Sequence, residues 1–308
     1  MGITLRAQIA VIINASSGAG YSGEWELALV EKFHAHDMDA QVTLAKTGAE
    51  LLGAAQRALA ARPDAIVAGG GDGTINAVAS VVVGTGIPFG VLPMGTLNHF
   101  AKDANIPLQL DDAIRNIAIG DSIAVDVGEV NSRIFLNNSS LGIYPDIVRE
   151  REKQQKRLGR GKWTAFGWSL MTALRRYPFL HVRLSVNGAY HHREAPFIFI
   201  GNNEYSMEGF TIGERSSLVD GHLSLYVAQR TGRLGLLRLA LHALFGRLRQ
   251  ARDFDVLTAR DILIEGRRRR MRVALDGEVT VMEMPLQYRI RAGALQVIVP
   301  KNGRPTTI

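Results

Sequence analysis

One segment of the sequence has residue types suited to holding phosphate: Gly69-Gly70-Gly71-Asp72-Gly73-Thr74. Glycines let backbone N–H groups approach phosphate oxygens closely, and a helix N-terminus adds a dipole that favours an anion. A strand-like apolar run precedes the segment and a helical pattern follows it, as such a site requires. Thr74 can cap that helix or bond a phosphate oxygen. A plain strand-to-helix turn would not need three successive glycines and a carboxylate, so the pattern favours anion binding.

A second turn of small residues follows the next predicted strand, at residues 88–92. It reads Gly95-Thr96-Leu97-Asn98. The carboxyl ends of parallel strands meet at one edge of a sheet, so we expect both turns to face the same crevice. Two such turns on neighbouring strands favour a nucleotide site more strongly than either turn alone.

A third glycine pattern, Gly18-Ala19-Gly20-Tyr21-Ser22-Gly23, matches the fingerprint of dinucleotide-binding proteins. That fingerprint expects an acid at the end of the second strand, whereas this strand ends in Leu44-Ala45-Lys46-Thr47. Hydride transfer is therefore a distant alternative. The sequence also has no Gly-x-x-x-x-Gly-Lys-Ser/Thr motif, which excludes a P-loop fold.

The hydrophobic pattern divides the chain into two parts that change character near residue 123. The first part alternates apolar strands with amphipathic helices, which predicts a doubly wound parallel sheet. Its predicted strands are 8–13, 40–44, 65–68 and 88–92, and its predicted helices are 23–36, 49–61 and 74–83. The second part is mostly antiparallel β, with helices predicted at about 161–177 and 233–250. Its predicted strands are 124–130, 133–139, 181–186, 190–192, 197–202, 223–228, 261–265, 272–275, 279–285 and 295–299.

Composition limits the class of protein. A length of 308 residues suggests two domains, and 46% apolar residues are enough to bury a core in each. The chain has no cysteine, which excludes disulfides, thiolate metal sites and cysteine nucleophiles. Its net charge of +7 favours anionic partners such as nucleotides or an anionic membrane surface. The N-terminus lacks the layout of a secretory signal and no apolar run is long enough to span a membrane, so we expect a cytoplasmic protein.

Two basic amphipathic stretches, 162–177 and 234–245, have the composition of helices that lie in a membrane interface. Ordinary packing on the β-rich part of the chain is the competing interpretation for each of them.

The two glycine motifs, at 67–76 and 92–101, resemble the paired motifs of the diacylglycerol kinase catalytic-domain family, which includes bacterial soluble lipid kinases and sphingosine kinases. The resemblance continues in the expected order over nearly the whole chain, at 13–18, 138–142, 218–223 and 275–278. It implies an N-terminal doubly wound parallel α/β nucleotide domain, a C-terminal antiparallel β-sandwich domain, and an active site in the cleft between them. The expected bounds are 1–123 and 124–290, with the segment 291–308 packing back on the first domain.

Position by position, the resemblance implies a site for ATP and Mg²⁺. Asp72 matches the acid near the transferred phosphate, where a carboxylate needs a metal or hydroxyl partner to avoid repulsion. Glu278 matches the base for the acceptor hydroxyl, with Asp276 beside it as a second catalytic residue. Asp220 matches a magnesium-associated acid, but Val219 stands where the family often has another acid. The residues assigned to nucleotide binding are Asn14, Ser17, Thr47, Gly70, Gly71, Gly73, Thr74, Asn76, Gly95, Thr96 and Asn98.

The spacing of Asp276-Gly277 by itself predicts only a hairpin turn, so the role of Glu278 as a base rests on the resemblance. The resemblance implies transfer of phosphate from ATP to a lipid hydroxyl, such as that of diacylglycerol, at the inner surface of a membrane. Two alternatives stay open: a kinase of a soluble substrate, of the NAD-kinase type, and a basic nucleotide-binding regulator without catalysis. No nucleic-acid module is recognisable, so nucleic acid is not an expected partner. The sequence does not name the lipid or decide between a monomer and a homodimer.

Overall fold

The computed structural model describes residues 6–16, 21, 23–142, 180–186, 188–205, 215, 217–228 and 254–301. The chain forms two compact units. Unit 1 comprises Met1–Val127, Ser217–Val219 and Ala292–Ile308, and unit 2 comprises Gly128–Ser216 and Asp220–Arg291. The helices predicted at 161–177 and 233–250 lie outside the described residues, so their placement stays a prediction.

Unit 1 contains a parallel sheet flanked by helices, which confirms the predicted doubly wound α/β architecture. Strand β3 is buried at every position, which explains its continuous run of apolar and small residues. The strand order is β2-β1-β3-β4, followed by the end of β16. These strands are β1 (Ala7–Asn14), β2 (Met38–Ala45), β3 (Ala65–Gly70), β4 (Phe89–Pro93) and β16 (Leu286–Val299). The helices are α1 (Gly23–His34), α2 (Gly48–Ala61), α3 (Asp72–Val82), α4 (His99–Asp103) and α5 (Leu110–Ile119).

The register of the parallel strands brings their carboxyl ends to one edge of the sheet. Asn14 lies opposite Ala45, and Gly70 lies opposite Pro93. One face of the sheet is anchored by a core in which strand side chains pack against α1 and α5, including Ile9, Val11, Val67, Leu29, Phe33 and Ile114. Burial of each such side chain contributes about 1.5–3 kcal/mol. The loops that follow the strands are therefore carried by a rigid platform.

Unit 2 is a sandwich of antiparallel sheets, as predicted. Its strands are β5 (Asp121–Val130), β6 (Arg133–Phe135), β7 (Asn138–Gly142), β8 (Leu180–Val186), β9 (Ala189–Ala195), β10 (Phe197–Asn202), β11 (Leu223–Ala228), β12 (Phe254–Ala259), β13 (Asp261–Gly266), β14 (Arg270–Leu275) and β15 (Glu278–Glu283). One sheet has the order β16-β13-β8-β9, and the other has the order β12-β11-β10-β7-β14-β15. Side chains of both sheets form one buried core, with Leu184 and Ile264 from the first and Ile198, Leu225 and Val273 from the second. The strands β5 and β16 contribute residues to both units.

Several elements differ from the sequence-based expectation. The predicted strand 133–139 is two strands, because β6 pairs with β5 whereas β7 pairs with β10 and β14 in the other sheet. The helices α4 and α5 and the strand β12 were not predicted. The predicted strand 295–299 is the end of the 14-residue strand β16. Among the described helices, none has the length and apolar character needed to cross a membrane.

Candidate active site

The two glycine-rich loops lie side by side at the carboxyl edge of the unit 1 sheet. A Cβ atom on Gly95 would lie 2.5 Å from the Cα atom of Gly71, so the two backbones approach more closely than any larger residue permits. Gly70 has a φ of 156°, and a Cβ atom there would lie 2.6 Å from the hydroxyl oxygen of Thr74. The N–H group of Met94 donates to the carbonyl of Gly70 at 3.0 Å. The glycines thus serve the contact between the loops as well as access to their backbone.

Helix α3 begins directly after the first loop, and its N-terminus is not capped by a side chain. The residue at the N-cap is Gly71, and no side-chain hydrogen bond is made from this position. The first turn of any helix leaves backbone N–H groups without a partner inside the helix, and the helix dipole places partial positive charge there. The start of α3 therefore presents backbone donors suited to an anion.

Asp72, the first residue of α3, links the two loops. It is half-buried, and its Oδ1 accepts the backbone N–H of Phe100 at 3.2 Å. A metal or hydroxyl partner was predicted for this carboxylate, and the partner found in the structure is a backbone N–H of α4. This bond ties the start of α3 to α4.

Asn14 and Thr74 are 60 positions apart in sequence and are hydrogen-bonded at the end of β1. The Asn14 Nδ2 donates to the Thr74 Oγ1 at 2.9 Å. The Asn14 Oδ1 accepts the N–H of Ser16 at 3.0 Å and its hydroxyl at 2.6 Å. Thr74 is buried, and its oxygen accepts a hydrogen bond from Asn14. Its own O–H group can therefore donate only to an atom other than the Asn14 amide nitrogen. The structure therefore brings two predicted nucleotide-binding residues into one hydrogen-bonded unit.

The side chain of Asn98 closes the second loop on itself. Its Oδ1 accepts the N–H of Gly95 at 3.0 Å, and its Nδ2 donates to the carbonyl of Gly95 at 2.9 Å. Asn98 has a left-handed backbone with φ of 50°, which asparagine tolerates better than most residues. The loop thereby leaves Thr96 exposed and Leu97 58% exposed. Asn98 thus shapes the loop, and the side chains offered to a ligand come from the two residues before it.

Thr47 caps helix α2 after strand β2. Its Oγ1 accepts the N–H of Glu50 at 3.2 Å, and the carboxylate of Glu50 accepts the N–H of Lys46 at 2.8 Å. Thr47 thus bonds to Glu50 while Glu50 bonds to the residue before the cap, which holds the first turn of α2 in place. The hydrogen bond from Lys46 is the main cause that lowers the pKa of Glu50. Thr47 is exposed at the loop that follows the carboxyl end of β2.

Three other predicted residues are less informative. Asn76 is half-buried within α3, and Ser17 lies outside the described residues. Asp220 is exposed in the segment before β11, where its carbonyl lies 3.3 Å from His222 Nδ1. Within the parts of the chain that the structure describes, no three His, Cys, Asp or Glu side chains form a group that could hold a metal ion.

The turn between β14 and β15 carries the predicted catalytic residues of unit 2. Leu275 pairs with Glu278 across the turn, which therefore contains only Asp276 and Gly277. Both have positive φ, 45° and 86°, as in the type I′ turns that join antiparallel strands. The predicted hairpin is thus confirmed. Glu278, the first residue of β15, is exposed.

The carboxylate of Asp276 is occupied by backbone donors from the segment between β6 and β7. Its Oδ2 accepts the N–H of Leu136 at 2.8 Å, and its Oδ1 accepts those of Asn137 at 2.8 Å and Asn138 at 2.9 Å. Burial raises the pKa of Asp276, whereas these three donors and Arg215 act in the opposite direction. Both carboxylate oxygens of Asp276 are thus bonded to the backbone, and its catalytic role stays a prediction.

Three buried polar side chains that the sequence did not predict form a cluster near the Asp276 turn. It comprises Asn137, Asn202 and Arg215, which are all buried. Arg215 donates to the carbonyl of Leu136 at 2.7 Å and to the Asn137 Oδ1 at 3.1 Å. The local sequence Gly213-Glu214-Arg215-Ser216 is typical of an exposed loop, so nothing in it indicates a buried guanidinium.

Comparison with known proteins identifies two family domains. Residues 8–130 match the model of the diacylglycerol kinase catalytic domain. Residues 145–299 match the model of the YegS C-terminal domain, described as NAD kinase β-sandwich-like. Together the two matches cover most of the chain in the order that the sequence motifs predicted.

Two bacterial proteins of similar sequence each match about half of the chain. Lipid kinase YegS from Escherichia coli K12 is 34% identical over 170 residues, which cover 53% of this chain and 55% of that protein. A YegS-like protein from Citrobacter koseri is 33% identical over 172 residues, covering 53% and 56%. The match therefore spans only about half the length of these relatives.

Two crystal structures of proteins from Bacillus anthracis strain Sterne share the fold. One is described as a diacylglycerol kinase and has a TM-score of 0.69 at 20% identity, covering 96% of this chain and 98% of that one. The other has a TM-score of 0.74 at 23% identity with the same coverage. At these identities the likeness concerns the fold alone.

Proposed function

The chain belongs to the diacylglycerol kinase family, and we propose that it is an ATP- and Mg²⁺-dependent lipid kinase that transfers the γ-phosphoryl group to a hydroxyl of a lipid such as diacylglycerol. The observation that carries the proposal is the pair of touching glycine loops beside the uncapped N-terminus of α3. Phosphoryl transfer depends mainly on holding the phosphates and neutralising their charge, and backbone donors do the first of these.

Unit 1 supplies the nucleotide-binding part of the proposal. The N–H groups at the start of α3 bind phosphate oxygens, and the hydroxyls of Thr74, Thr96 and Thr47 donate further hydrogen bonds to the nucleotide. Asn14 orients the Thr74 hydroxyl, because it already donates to that oxygen. Asn98 keeps the second loop in shape, because both polar atoms of its side chain are bonded to Gly95.

Mg²⁺ is proposed to bind together with ATP. The ion prefers hard oxygen ligands and keeps several waters, so one carboxylate and the nucleotide phosphates suffice. Asp72 fits this requirement, since it is a carboxylate at the start of α3 with one oxygen bonded to Phe100 N–H. The bound ion would neutralise phosphate charge. Asp220 is not included, because it is exposed and no acid cluster surrounds it among the described residues.

Unit 2 supplies the acceptor-binding part of the proposal. Glu278 accepts the proton of the lipid hydroxyl while that oxygen bonds to the γ-phosphorus and the bond from the γ-phosphorus to ADP breaks. Its exposed carboxylate at the start of β15 leaves it accessible to a substrate. Asp276, whose oxygens are bonded to three backbone N–H groups, holds the turn in this proposal and does not move a proton.

We further propose peripheral contact with an anionic membrane on its cytoplasmic side. Arg267, Arg268 and Arg269 are exposed in the connection between β13 and β14. In the described part of the chain, Arg270 is the member of this run that has an ion pair, with Glu283 at 3.5 Å. Basic residues near an anionic surface contribute about 1 kcal/mol each.

Transfer of label from γ-labelled ATP into a lipid extract tests the proposed reaction. We expect a labelled lipid, identified by mass spectrometry, and loss of transfer in Asp72→Asn. Asp64→Asn is the matched control, because Asp64 also accepts a backbone N–H, from Gln8 at 2.7 Å, but precedes β3. Label in NAD would instead identify a soluble-substrate kinase, and nucleotide binding without any transfer would identify a regulator.

Co-sedimentation with vesicles tests the membrane contact separately. Vesicles of phosphatidylcholine with phosphatidylglycerol should retain the protein, and vesicles of phosphatidylcholine alone should not. Replacing the three exposed arginines 267–269 with glutamine should weaken retention. The control removes the same charge from unit 1, by replacing Arg57, Arg62 and Arg115 with glutamine, and should leave retention unchanged. Equal retention on both kinds of vesicle would refute the contact.

A further inference from the structure

Arg215 is the buried arginine of the described residues, and its guanidinium donates to backbone and amide oxygens. It is 7% exposed. One nitrogen donates to the carbonyl of Leu136 at 2.7 Å and lies 3.4 Å from the carbonyl of Asn202, and the other donates to the Asn137 Oδ1 at 3.1 Å. A buried cation is unfavourable unless it is hydrogen-bonded and near an opposite charge, so a mere space-filling role would be better served by an apolar residue.

The opposite charge is supplied by Asp276. The short segment Leu136-Asn137-Asn138 lies between the two charged groups: its N–H groups donate to the Asp276 carboxylate, and a carbonyl and an amide of the same segment accept from Arg215. Asn202 adds two bonds, since its Nδ2 donates to Leu136 O at 2.8 Å and its N–H donates to Asn137 O at 2.9 Å. The segment is therefore held on both its donor side and its acceptor side.

The position of Glu278 depends on this segment through the two-residue turn. Asp276 is the first turn residue, and its own N–H donates to the carbonyl of Asn138 at 2.9 Å. Glu278 follows after Gly277, so the peptide plane that carries it is placed by a turn that is bonded to 136–138 through backbone and side chain. Displacement of the segment would displace the turn and the carboxylate of Glu278 with it.

We propose that Arg215 is a positioning residue for Glu278, acting through the segment 136–138 and the Asp276 turn. This rests on the proposed function, in which Glu278 accepts the proton of the acceptor hydroxyl. A general base must lie within hydrogen-bond reach of its proton, and displacement of about 1 Å is enough to reduce the rate strongly. Arg215 thus acts on turnover. It does not affect nucleotide affinity, because unit 1 binds the nucleotide in the proposed function.

A double-mutant cycle on the full-length protein tests the coupling. Arg215→Met removes the charge and donors at similar length, and we expect kcat for lipid phosphorylation to fall about 10- to 100-fold with an unchanged KM for ATP. In a Glu278→Gln background, the same substitution should cost less than about threefold, because the group that it positions is already disabled. Equal losses in both backgrounds would overturn the proposal. Arg215→Lys, which keeps the charge but not the fork of donors, should restore part of the rate.

Amide hydrogen exchange tests the positioning without reference to activity. In Arg215→Met, the amides of 136–138 and 276–278 should exchange at least about tenfold faster than in the wild type, while those of β3 stay unchanged. Tyr288→Phe is the control for general destabilisation, because it removes one buried hydrogen bond of unit 2, to Ser139 at 2.9 Å, and should leave kcat unchanged. Unchanged exchange at 276–278 would overturn the proposal. If Arg215→Met does not fold, the same measurement on Arg215→Lys decides. If the wild type phosphorylates no lipid, the proposed function fails, and exchange still decides whether Arg215 holds the turn.

Discussion

The two glycine-rich loops of unit 1 and the Asp276 turn of unit 2 are built in different ways. Each loop takes part of its shape from near neighbours in sequence, as when Asn98 bonds to Gly95 and Gly70 leaves space for Thr74, and Asn14 reaches Thr74 from 60 positions away. The turn takes its shape from distant residues, since Asp276 bonds to Leu136 across 140 positions. We infer that substitutions of the loop glycines change nucleotide affinity and local stability, whereas substitutions around the turn change turnover.

The largest expected effect lies at the turn. Glu278→Gln should lower kcat about 100- to 10,000-fold, because the amide cannot accept the proton of the acceptor hydroxyl. Since Glu278 is exposed, the melting temperature should stay close to that of the wild type. Glu283→Gln, at the other end of the same strand, is the control and should retain its rate. Near-normal turnover in folded Glu278→Gln would remove the base from the proposed mechanism.

A smaller effect, on affinity, is expected in the loops. Gly95→Ala should raise the dissociation constant for ATP about tenfold, because the added methyl group pushes the second loop away from Gly71. Isothermal titration with ATP would measure it. Gly48→Ala, where no atom lies within 4 Å of the added carbon, should bind as the wild type does. If Gly95→Ala lowered kcat without changing affinity, the contrast between the two regions would be lost.

The bond between Asn14 and Thr74 should appear in the stability of unit 1. Thr74→Val removes the hydroxyl that accepts from the Asn14 amide and should lower the free energy of unfolding by about 1–3 kcal/mol. Ser80→Ala on the same helix is the control, because the Ser80 hydroxyl is exposed and bonds within the helix to Ala77 O at 2.6 Å. Urea unfolding of both variants measures the difference. Equal midpoints for the two would show that the Asn14 bond contributes nothing.

The smallest expected effect is a dependence on pH at the start of α2. The pKa of Glu50 is lowered in the folded protein, so its hydrogen bonds stabilise the fold above the ordinary value of 4.5 and are lost as the pH falls through the lowered pKa. Glu50→Gln should therefore lower the melting temperature by about 2 °C at neutral pH and by less in acid. Glu31→Gln, on an exposed face of α1, serves as the control. A difference that grew in acid would have the wrong sign.

The sequence predicted the parallel sheet and its glycine loops because these depend on local patterns. A run of small and apolar residues such as Ala65–Gly70 is buried on both faces and leads directly into a helix. Helix α5 was missed although its pattern is local: Asp111 and Asp112 lie in its first turn and Ile114 and Ile117 face the core. That helix could therefore have been predicted from the sequence.

The division of the predicted strand 133–139 could not have been predicted from local pattern. Leu136 and Asn137 leave the strand because their N–H groups are accepted by Asp276, which lies in a different part of the sequence. The burial of Arg215 has the same origin, since its partners Leu136 and Asn137 are nearly 80 positions away. Long-range polar contacts of this kind leave no periodic signal, and the part of the candidate site that depends on them became visible only in the structure.

The close approach of Gly71 and Gly95 also limits how the two loops can diversify. If both positions were randomised in one library and selected for a folded, nucleotide-binding protein, the survivors should keep glycine at position 95, where an added carbon would lie 2.5 Å from the Gly71 backbone. Position 71 should accept small residues as well, because the nearest atom to a carbon added there is 3.5 Å away. The neighbouring positions Thr96 and Leu97, which are exposed, should accept many residues in the same library. Variation that adapts the protein to new ligands is therefore expected beside Gly95, one or two residues away from the contact between the loops.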